Sequence, residues 1–339
     1  MIRIAIDCLG GDHSPASDVD GALLALASHP DLHAVLFGDR TAIEARLSAA
    51  RNVPYERIEI VHAPEAVSGE DAPIDAIRMK KGSSMISAIR ALREDDSLAA
   101  LVSSGASGVL VGASILRIGR IDGVRRPAFC PVLPSMNGGV VAICDSGANL
   151  DATPETLVQN AILGSSYLTC AYGIDAPRVA LLNVGTESEK GDDLRRETYK
   201  LLSEAKGIHF VGNMESRDLL SGKYDLVVCD GFAGNVLVKC TEGACLEMLK
   251  RLKRDITSSL LNKIGALFLY RMFMKEKEFM NYQNYGGSVL LGLEKLVVKG
   301  HGSSNAKAIA VSIDLAYRMV DKGLNQSIAK AIADAGAQA

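Results

Sequence analysis

Six stretches of the chain combine glycine with small hydrogen-bonding residues: Asp7-Cys-Leu-Gly-Gly-Asp12, Ser103-Ser-Gly-Ala-Ser-Gly108, Asp145-Ser-Gly-Ala-Asn149, Asn183-Val-Gly-Thr-Glu187 with Lys190-Gly191, Asp230-Gly-Phe-Ala-Gly-Asn235, and Gly300-His-Gly-Ser-Ser-Asn305. Glycine lets the backbone approach a ligand closely, and amides at the start of a following helix favour an anion. Any one stretch also reads as an ordinary turn and cap, for which Gly, Ser and Asn are suited. Several aimed at one crevice would make a phosphate site. Lys190, Lys239 and His301 are the cationic or titratable candidates to complete it. Asp7, Asp12, Asp145 and Asp230 could orient donors, cap helices or hold a metal, and capping suits most of them.

Other chemistries lack their signatures. Gly185-Thr-Glu-Ser-Glu-Lys190-Gly191 has the outline of a P-loop without the Gly-Lys-Ser/Thr ending that holds phosphate and magnesium. Gly300-His-Gly302 begins like a dinucleotide fingerprint, but Asn305 stands where the third glycine belongs, and the acid some twenty residues on, Asp321, falls in a helical pattern. There is no H-E-x-x-H, no clustered Cys/His spacing and no G-x-S-x-G elbow, so neither a metal nor a serine nucleophile is expected.

The elements that must position these residues show as nine short apolar runs: Ile2 to Ile6, Ala34 to Phe37, Ile58 to His62, Ala99 to Val102, Val140 to Cys144, Val179 to Asn183, His209 to Val211, Leu226 to Cys229 and Leu296 to Val298. Each ends in or beside Gly, Asp, Ser or Asn and leads toward helical periodicity, which predicts a mostly parallel sheet with helices on both faces. Ligands of such sheets bind beyond the carboxyl ends of the strands. The 339 residues read as one α/β catalytic domain or two lobes, with Gly/Pro-rich joints near Gly119 to Pro134 and Gly286 to Gly292.

Composition narrows the partners. A net charge of −3 excludes a wholesale nucleic-acid coat, and the absence of Trp with 5% aromatic residues argues against base-stacking platforms. Seven cysteines without a C-x-x-C, mostly inside apolar runs, read as buried thiols of a cytoplasmic protein. Met1-Ile-Arg-Ile-Ala-Ile-Asp7 reads as a first strand and not as a secretory leader.

In this order the motifs resemble those of the phosphate acyltransferases of bacterial phospholipid synthesis. The likeness is carried by Asp-x-x-Gly-Gly-Asp at 7–12, Arg126-Pro-Ala128, Asp145-x-Gly-Ala-Asn149, Leu181-Leu-Asn-Val-Gly185 with Glu187 and Lys190-Gly191, and Gly212-Asn213 with Arg217-Asp218. It continues through Asp230-Gly-Phe-x-Gly-Asn-Val236 and Asn284-Tyr-Gly-Gly287 with His301-Gly-Ser-Ser304, and runs from Ile2 to about Val320. Where the family usually has Ala-Gly-Asn-Thr-Gly, this chain has Ser104-Gly-Ala-Ser-Gly108, so an Asn donor is lost. Cys8 and Leu9 replace Ala and Met.

The resemblance implies a three-layer α/β/α fold like that of phosphate acetyltransferases and isocitrate dehydrogenases, a homodimer, no cofactor, and reversible transfer of a fatty acyl chain from acyl carrier protein to inorganic phosphate. Phosphate is already an anionic nucleophile, so positioning and oxyanion stabilisation can carry most of the catalysis. The site so implied uses Lys190 and Asn235 on the thioester oxygen and phosphate, with His301 or water supplying a proton. Asp7, Gly10, Gly11, Asp12, Ser103, Gly105, Ser107, Asn149, Gly231, Gly302 and Ser303 bind substrate, with the amides of Gly10, Gly11, Gly105 and Gly302 forming a cradle. The competing readings are an NAD-dependent decarboxylating dehydrogenase on a related fold and a non-catalytic adaptor for acyl carrier protein or membrane.

Residues 249–277 stand apart, with eight basic against two acidic side chains flanking an uncharged run from Ile264 to Tyr270. The run is far below the ~20 residues of a membrane span. It reads as an interfacial membrane tip centred on Leu267, Phe268 and Leu269, as a dimer-buried helix, or as an ordinary core helix. The resemblance implies peripheral contact with the membrane or with a membrane-bound downstream acyltransferase, and the same charges suit acidic acyl carrier protein.

Overall fold

A computed structural model describes residues 1–279 and 286–336; the side chains of 277 and 278 and all of Asn284-Tyr285 lie outside the described residues. The strands are β1 (Ile2–Asp7), β2 (Leu32–Gly38), β3 (Ile58–His62), β4 (Leu98–Ser103), β5 (Ala128–Cys130), β6 (Val132–Pro134), β7 (Val140–Cys144), β8 (Val179–Asn183), β9 (Phe210–Glu215), β10 (Leu226–Val228), β11 (Ser288–Leu291) and β12 (Leu296–Lys299). The helices are α1 (Ala16–Ser28), α2 (Arg40–Ala49), α3 (Pro73–Met79), α4 (Ser84–Glu94), α5 (Ser107–Arg117), α6 (Pro154–Tyr172), α7 (Asp193–Glu204), α8 (Gly231–Thr257), α9 (Leu260–Phe268), α10 (Tyr270–Phe279), α11 (Ala306–Asp321) and α12 (Leu324–Gly336).

Two sheets result, ordered β3-β2-β1-β4-β12-β11-β5 and β6-β7-β10-β8-β9. Pairing is parallel except where β11 meets β12 and β5, and where β6 meets β7. Every expected strand is present. The three short strands β5, β6 and β11 were not expected, because their residues lie in the Gly/Pro-rich joints. There the chain crosses between sheets: Pro131 separates β5 in the larger sheet from β6 in the smaller.

The apolar runs are continuous because the strands are buried on both faces. In the larger sheet Ile4, Ile6, Ala34, Leu36 and Val102 join one core with α1, α2 and α11, while the alternate residues Ala5, Val35, Phe37 and Leu101 pack on α3, α4 and α5. In the smaller sheet Cys144, Leu181 and Val228 face that same first core with α6 and α7, and Ile143, Ala180 and Val227 face α8. One core therefore lies between both sheets. The layers are α/β/α, as expected.

Helix ends follow local chemistry. Asp39, Thr153, Asp230 and Asn305 cap α2, α6, α8 and α11 through their side chains, and Gly173 at φ +69° ends α6. Helix α8 runs for 27 residues and carries α9 beyond the body. No residue of α9 is buried, with Leu261, Leu267 and Phe268 at 81%, 73% and 85% exposure. Within this chain the core-helix reading of the segment is thus overturned. Among the described residues no helix is long and apolar enough to cross a membrane.

Candidate active site

A cavity of about 350 Å³ opens where β12 ends, between its following loop, the first turns of α8 and the β5–β6 crossing. Lys299, His301, Gly302, Asn235, Lys239 and Ser107 line it. Lys299 is the last residue of β12. Its Nζ donates to the Ser104 carbonyl at 3.3 Å and to that of Gly300. Burial lowers its pKa to about 8, against the opposing pull of Asp7 and Asp12. Below that pH it is a cation held on the cavity wall with little water around it.

His301 follows two residues later. Its Nδ1 is 2.9 Å from the Ser303 hydroxyl, which fixes the ring. Burial, and after it the repulsion of Lys299, push its pKa below the ordinary histidine value; Asp12 pulls upward and Lys239 adds to the lowering. At neutral pH the ring is therefore mainly uncharged, better suited to hydrogen bonding than to holding a ready acidic proton. Asn235, in the second turn of α8, donates from Nδ2 to the Ser146 carbonyl at 3.1 Å. Lys239 is exposed one turn further on.

Beneath the cavity the glycine stretches serve packing. Asp7 is buried, accepting from Ser84 Oγ at 2.5 Å, Ser103 Oγ at 2.7 Å and the Leu9 amide at 3.2 Å. Burial raises its pKa and these donors offset part of the rise. A Cβ on Gly10 would stand 2.5 Å from Asp7 Oδ2 and 2.6 Å from the Gly105 nitrogen, so only two glycines let the β1 and β4 tails touch. The Gly11 and Gly105 amides already donate to Ser14 Oγ and Ser103 Oγ. The cradle expected from four glycine amides is to that extent committed internally. The Asp12 amide donates to the Gly302 carbonyl at 2.8 Å and clasps the first loop to the last.

The smaller sheet shows the same pattern. Asp145 is buried and accepts from the amides of Phe129, Gly147, Ala148 and Asn149. Asn149 turns its Nδ2 to Pro127 O and Asp145, and its carbonyl accepts the Gly231 amide at 2.8 Å. Asn149 and Gly231 thus hold α8 against this tail. Asp230 caps α8 through Ala233 and pairs with Arg195, as the capping expectation had it. Lys190 is exposed in the β8–α7 loop, its carbonyl accepting from Asn183 and its methylenes over Gly185; it does not line the cavity. The structure therefore brings together His301, Asn235, Gly302 and Ser107, sets Ser303 behind His301, and leaves Lys190 on the other sheet.

Sequence reasoning missed Lys299. The signal was a lysine closing the run Leu296-Val-Val-Lys299 directly before Gly300-His-Gly302. The dinucleotide reading loses its fingerprint: Asn305 caps α11, and Asp321 ends that helix. Among the described residues no group of three His, Cys, Asp or Glu could hold a metal.

The profile of a family described as "Fatty acid synthesis protein" matches residues 2–327. A phosphate acyltransferase of Brevibacillus brevis is 44% identical over 331 residues, 98% of this chain and 97% of the relative. One of Bacillus subtilis is 42% identical over 323 residues, 95% and 96% of the two chains. The chain belongs to the phosphate acyltransferase family. It is therefore an enzyme of the acyltransferase class. The fold of this phosphate acyltransferase family member is similar to a phosphotransacetylase from Streptococcus pyogenes, at TM-score 0.62 and 14% identity over 94% of each chain. It is likewise similar to a branched-chain phosphotransacylase from Enterococcus faecalis, at TM-score 0.58 and 14% identity over 94% of this chain and 99% of that one.

Proposed function

We propose that the chain transfers a fatty acyl group from the thioester of acyl carrier protein to inorganic phosphate, reversibly, giving acyl phosphate for phospholipid synthesis. The observation that carries this reading is the cavity at the end of β12, where Lys299, Lys239, His301 and Asn235 surround a space walled in part by glycine backbone. A phosphate dianion entering this cavity meets a lining that carries two lysines, Lys299 and Lys239. A phosphate oxygen attacks the thioester carbonyl carbon, the C–S bond breaks, and the carrier leaves as a thiolate whose pKa is near ~8.5, so no strong acid is needed. Lys299, half-buried on the cavity wall, and Asn235 steady the phosphate and the developing oxyanion.

The test is release of carrier thiol with and without phosphate. Thiol and acyl phosphate should appear together and only when phosphate is present. Release independent of phosphate, or binding of acyl carrier protein without turnover, would reject the reading.

We further propose that α9 and α10 seat the enzyme, as a homodimer, on the cytoplasmic face of a membrane. Support comes from the exposed Leu267 and Phe268 between basic flanks. Each Lys or Arg near an anionic surface contributes ~1 kcal/mol, weakened by salt, and each buried Leu or Phe adds ~1.5 to 3 kcal/mol that salt does not screen. Changing both Leu267 and Phe268 to Glu should abolish co-sedimentation with anionic vesicles and leave transfer in solution nearly unchanged. Dissociation of the double variant into monomers would assign the segment to a subunit interface instead.

A further inference from the structure

We propose that Ser14 and Asp18 are positioning residues for the cavity, holding the loop of residues 10–12 onto which the 300–304 loop is clasped; the inference rests on the phosphate-transfer reading above. The chain of contacts is continuous. Asp18, in the first turn of α1, is 1% exposed and accepts from Ser14 Oγ at 2.5 Å. The same hydroxyl accepts from the Gly11 amide at 2.9 Å, and the Ser14 amide donates back to the Gly11 carbonyl at 3.2 Å. One residue on, the Asp12 amide donates to the Gly302 carbonyl, whose oxygen would stand 3.2 Å from a Cβ on Gly11. Gly302, His301 and Lys299 line the cavity. One buried carboxyl thus reaches the cavity loop through a single hydroxyl and two amides.

The Ser14 hydroxyl has one proton to give, and giving it to Asp18 turns its lone pairs to the Gly11 amide. With Asp18 ionised the first bond is charge-assisted, roughly twice as strong as a neutral one. A carboxyl carrying its own proton weakens that bond or reverses it, and the hydroxyl is then free to turn away from Gly11. Burial pushes the Asp18 carboxyl up to about 7; the Ser14 hydroxyl opposes the rise and Asp7, at the end of β1, adds to it. The Cys8 thiol is the other titratable group beside the two carboxyls, and burial keeps it protonated. Lys299 reaches Asp7 from β12, and α11 packs on α1 through Ile309 and the Ala306 carbonyl at Gly21. The loop is therefore held more firmly above pH 7 than below it.

The test measures the KM for phosphate between pH 6 and 8 in the full-length enzyme, in Asp18→Asn and in Ser14→Ala. Loosening one wall of the cavity weakens phosphate in ground and transition states alike, so KM should rise with kcat held within about threefold. The asparagine imitates the protonated carboxyl: its KM should lie within about twofold of the parent's at pH 6 and about tenfold above it at pH 8. Taking this ratio cancels the titration of phosphate itself. Ser14→Ala cuts the chain in either state and should raise KM at least about threefold at both pH values. A second measurement needs no phosphate: hydrogen exchange read by peptide mass should quicken at least about fivefold in Ser14→Ala for peptides covering 10–12 and 300–304, with those covering 140–144 unchanged. A ratio in Asp18→Asn that does not change with pH, a fall in kcat alone, or exchange that quickens at 10–12 but not at 300–304 would overturn the proposal. If Ser14→Ala is insoluble, the exchange experiment passes to Asp18→Asn at pH 8 with the same expectation. If the unsubstituted enzyme transfers no acyl group to phosphate, the transfer reading fails by itself, and exchange at 300–304 still decides whether Ser14 and Asp18 hold the loop.

Discussion

Replacing Lys299 by methionine is expected to lower acyl transfer to phosphate at least ~100-fold while leaving the far-UV spectrum unchanged, because losing a donor aimed at developing charge typically costs that much. Methionine keeps the length of the stem at the end of β12. The carbonyls of Ser104 and Gly300 lose a donor, but they border an open cavity that water can enter. The pH profile carries the decisive sign. With its pKa lowered to about 8, Lys299 holds its proton below that value and gives it up above, so a rate that needs the ammonium should fall as pH rises through about 8. In the methionine variant that limb should disappear. Stability moves the other way in the parent enzyme: the unfolded chain keeps the lysine proton to the ordinary value of 10.5, so the folded state gains as pH rises from about 8 toward it. Asn235→Ala belongs in the same series and should cripple turnover, whereas Lys190→Ala, exposed in the β8–α7 loop and outside the cavity, should leave the rate near normal. A near-normal rate in Asn235→Ala would remove it from the site, a crippled Lys190→Ala would extend the site to the β8–α7 loop, and a full rate in Lys299→Met would remove the cavity.

Gly234→Ala should destabilise the enzyme by about 3 kcal/mol or more, read as a lower urea midpoint, and a soluble yield near zero would fit the same cause. A Cβ at this position would stand 1.9 Å from the Asp145 carbonyl oxygen and 2.9 Å from Cys229 Sγ. Neither neighbour yields easily. Asp145 is fixed by four backbone amides, and its carbonyl accepts from the Cys229 thiol. The added methyl must therefore lift α8 from the smaller sheet and carry Asn235 with it. Gly243, on the same helix with nothing within 4 Å of its missing Cβ, is the control. Gly243→Ala should be neutral or stabilising by about 0.5–1 kcal/mol, since glycine in a helix interior costs about that much. Equal midpoints for the two variants would show that α8 does not press on the Asp145 turn.

The central strands were legible because burial on both faces leaves little that is polar to interrupt them: Val140–Cys144 and Leu226–Val228 show as unbroken apolar runs, and Ile2–Asp7 carries only Arg3, at its half-buried start, before the closing acid. β5, β6 and β11 were not legible, being three or four residues long and set among Gly and Pro. The glycine-bearing tails were found but their work was partly misjudged. Gly10, Gly231 and Gly234 are small because another backbone lies against them, and Gly105 because the Met85 side chain does. The same composition serves close packing and ligand approach, and only coordinates separate the two. Lys299 escaped notice for a related reason. A lysine at a strand end usually points to water, whereas here the 300–304 loop folds the space around it into a cavity.

Helix α8 begins at the Asp230 cap, passes Asn235 and Lys239, and ends at Thr257 where the exposed α9 starts. Because it is one uninterrupted helix, the bearing of the tip relative to the cavity is a matter of angular phase, set by the number of residues between them. Removing one residue beyond Leu246 would rotate α9 by about 100° around the α8 axis and draw it in by only about 1.5 Å. Removing seven would shorten the reach by about 10.5 Å and bring the direction back to within about 20°. Length can thus change along this helix only in steps near whole turns if the apolar tip is to keep facing the same way.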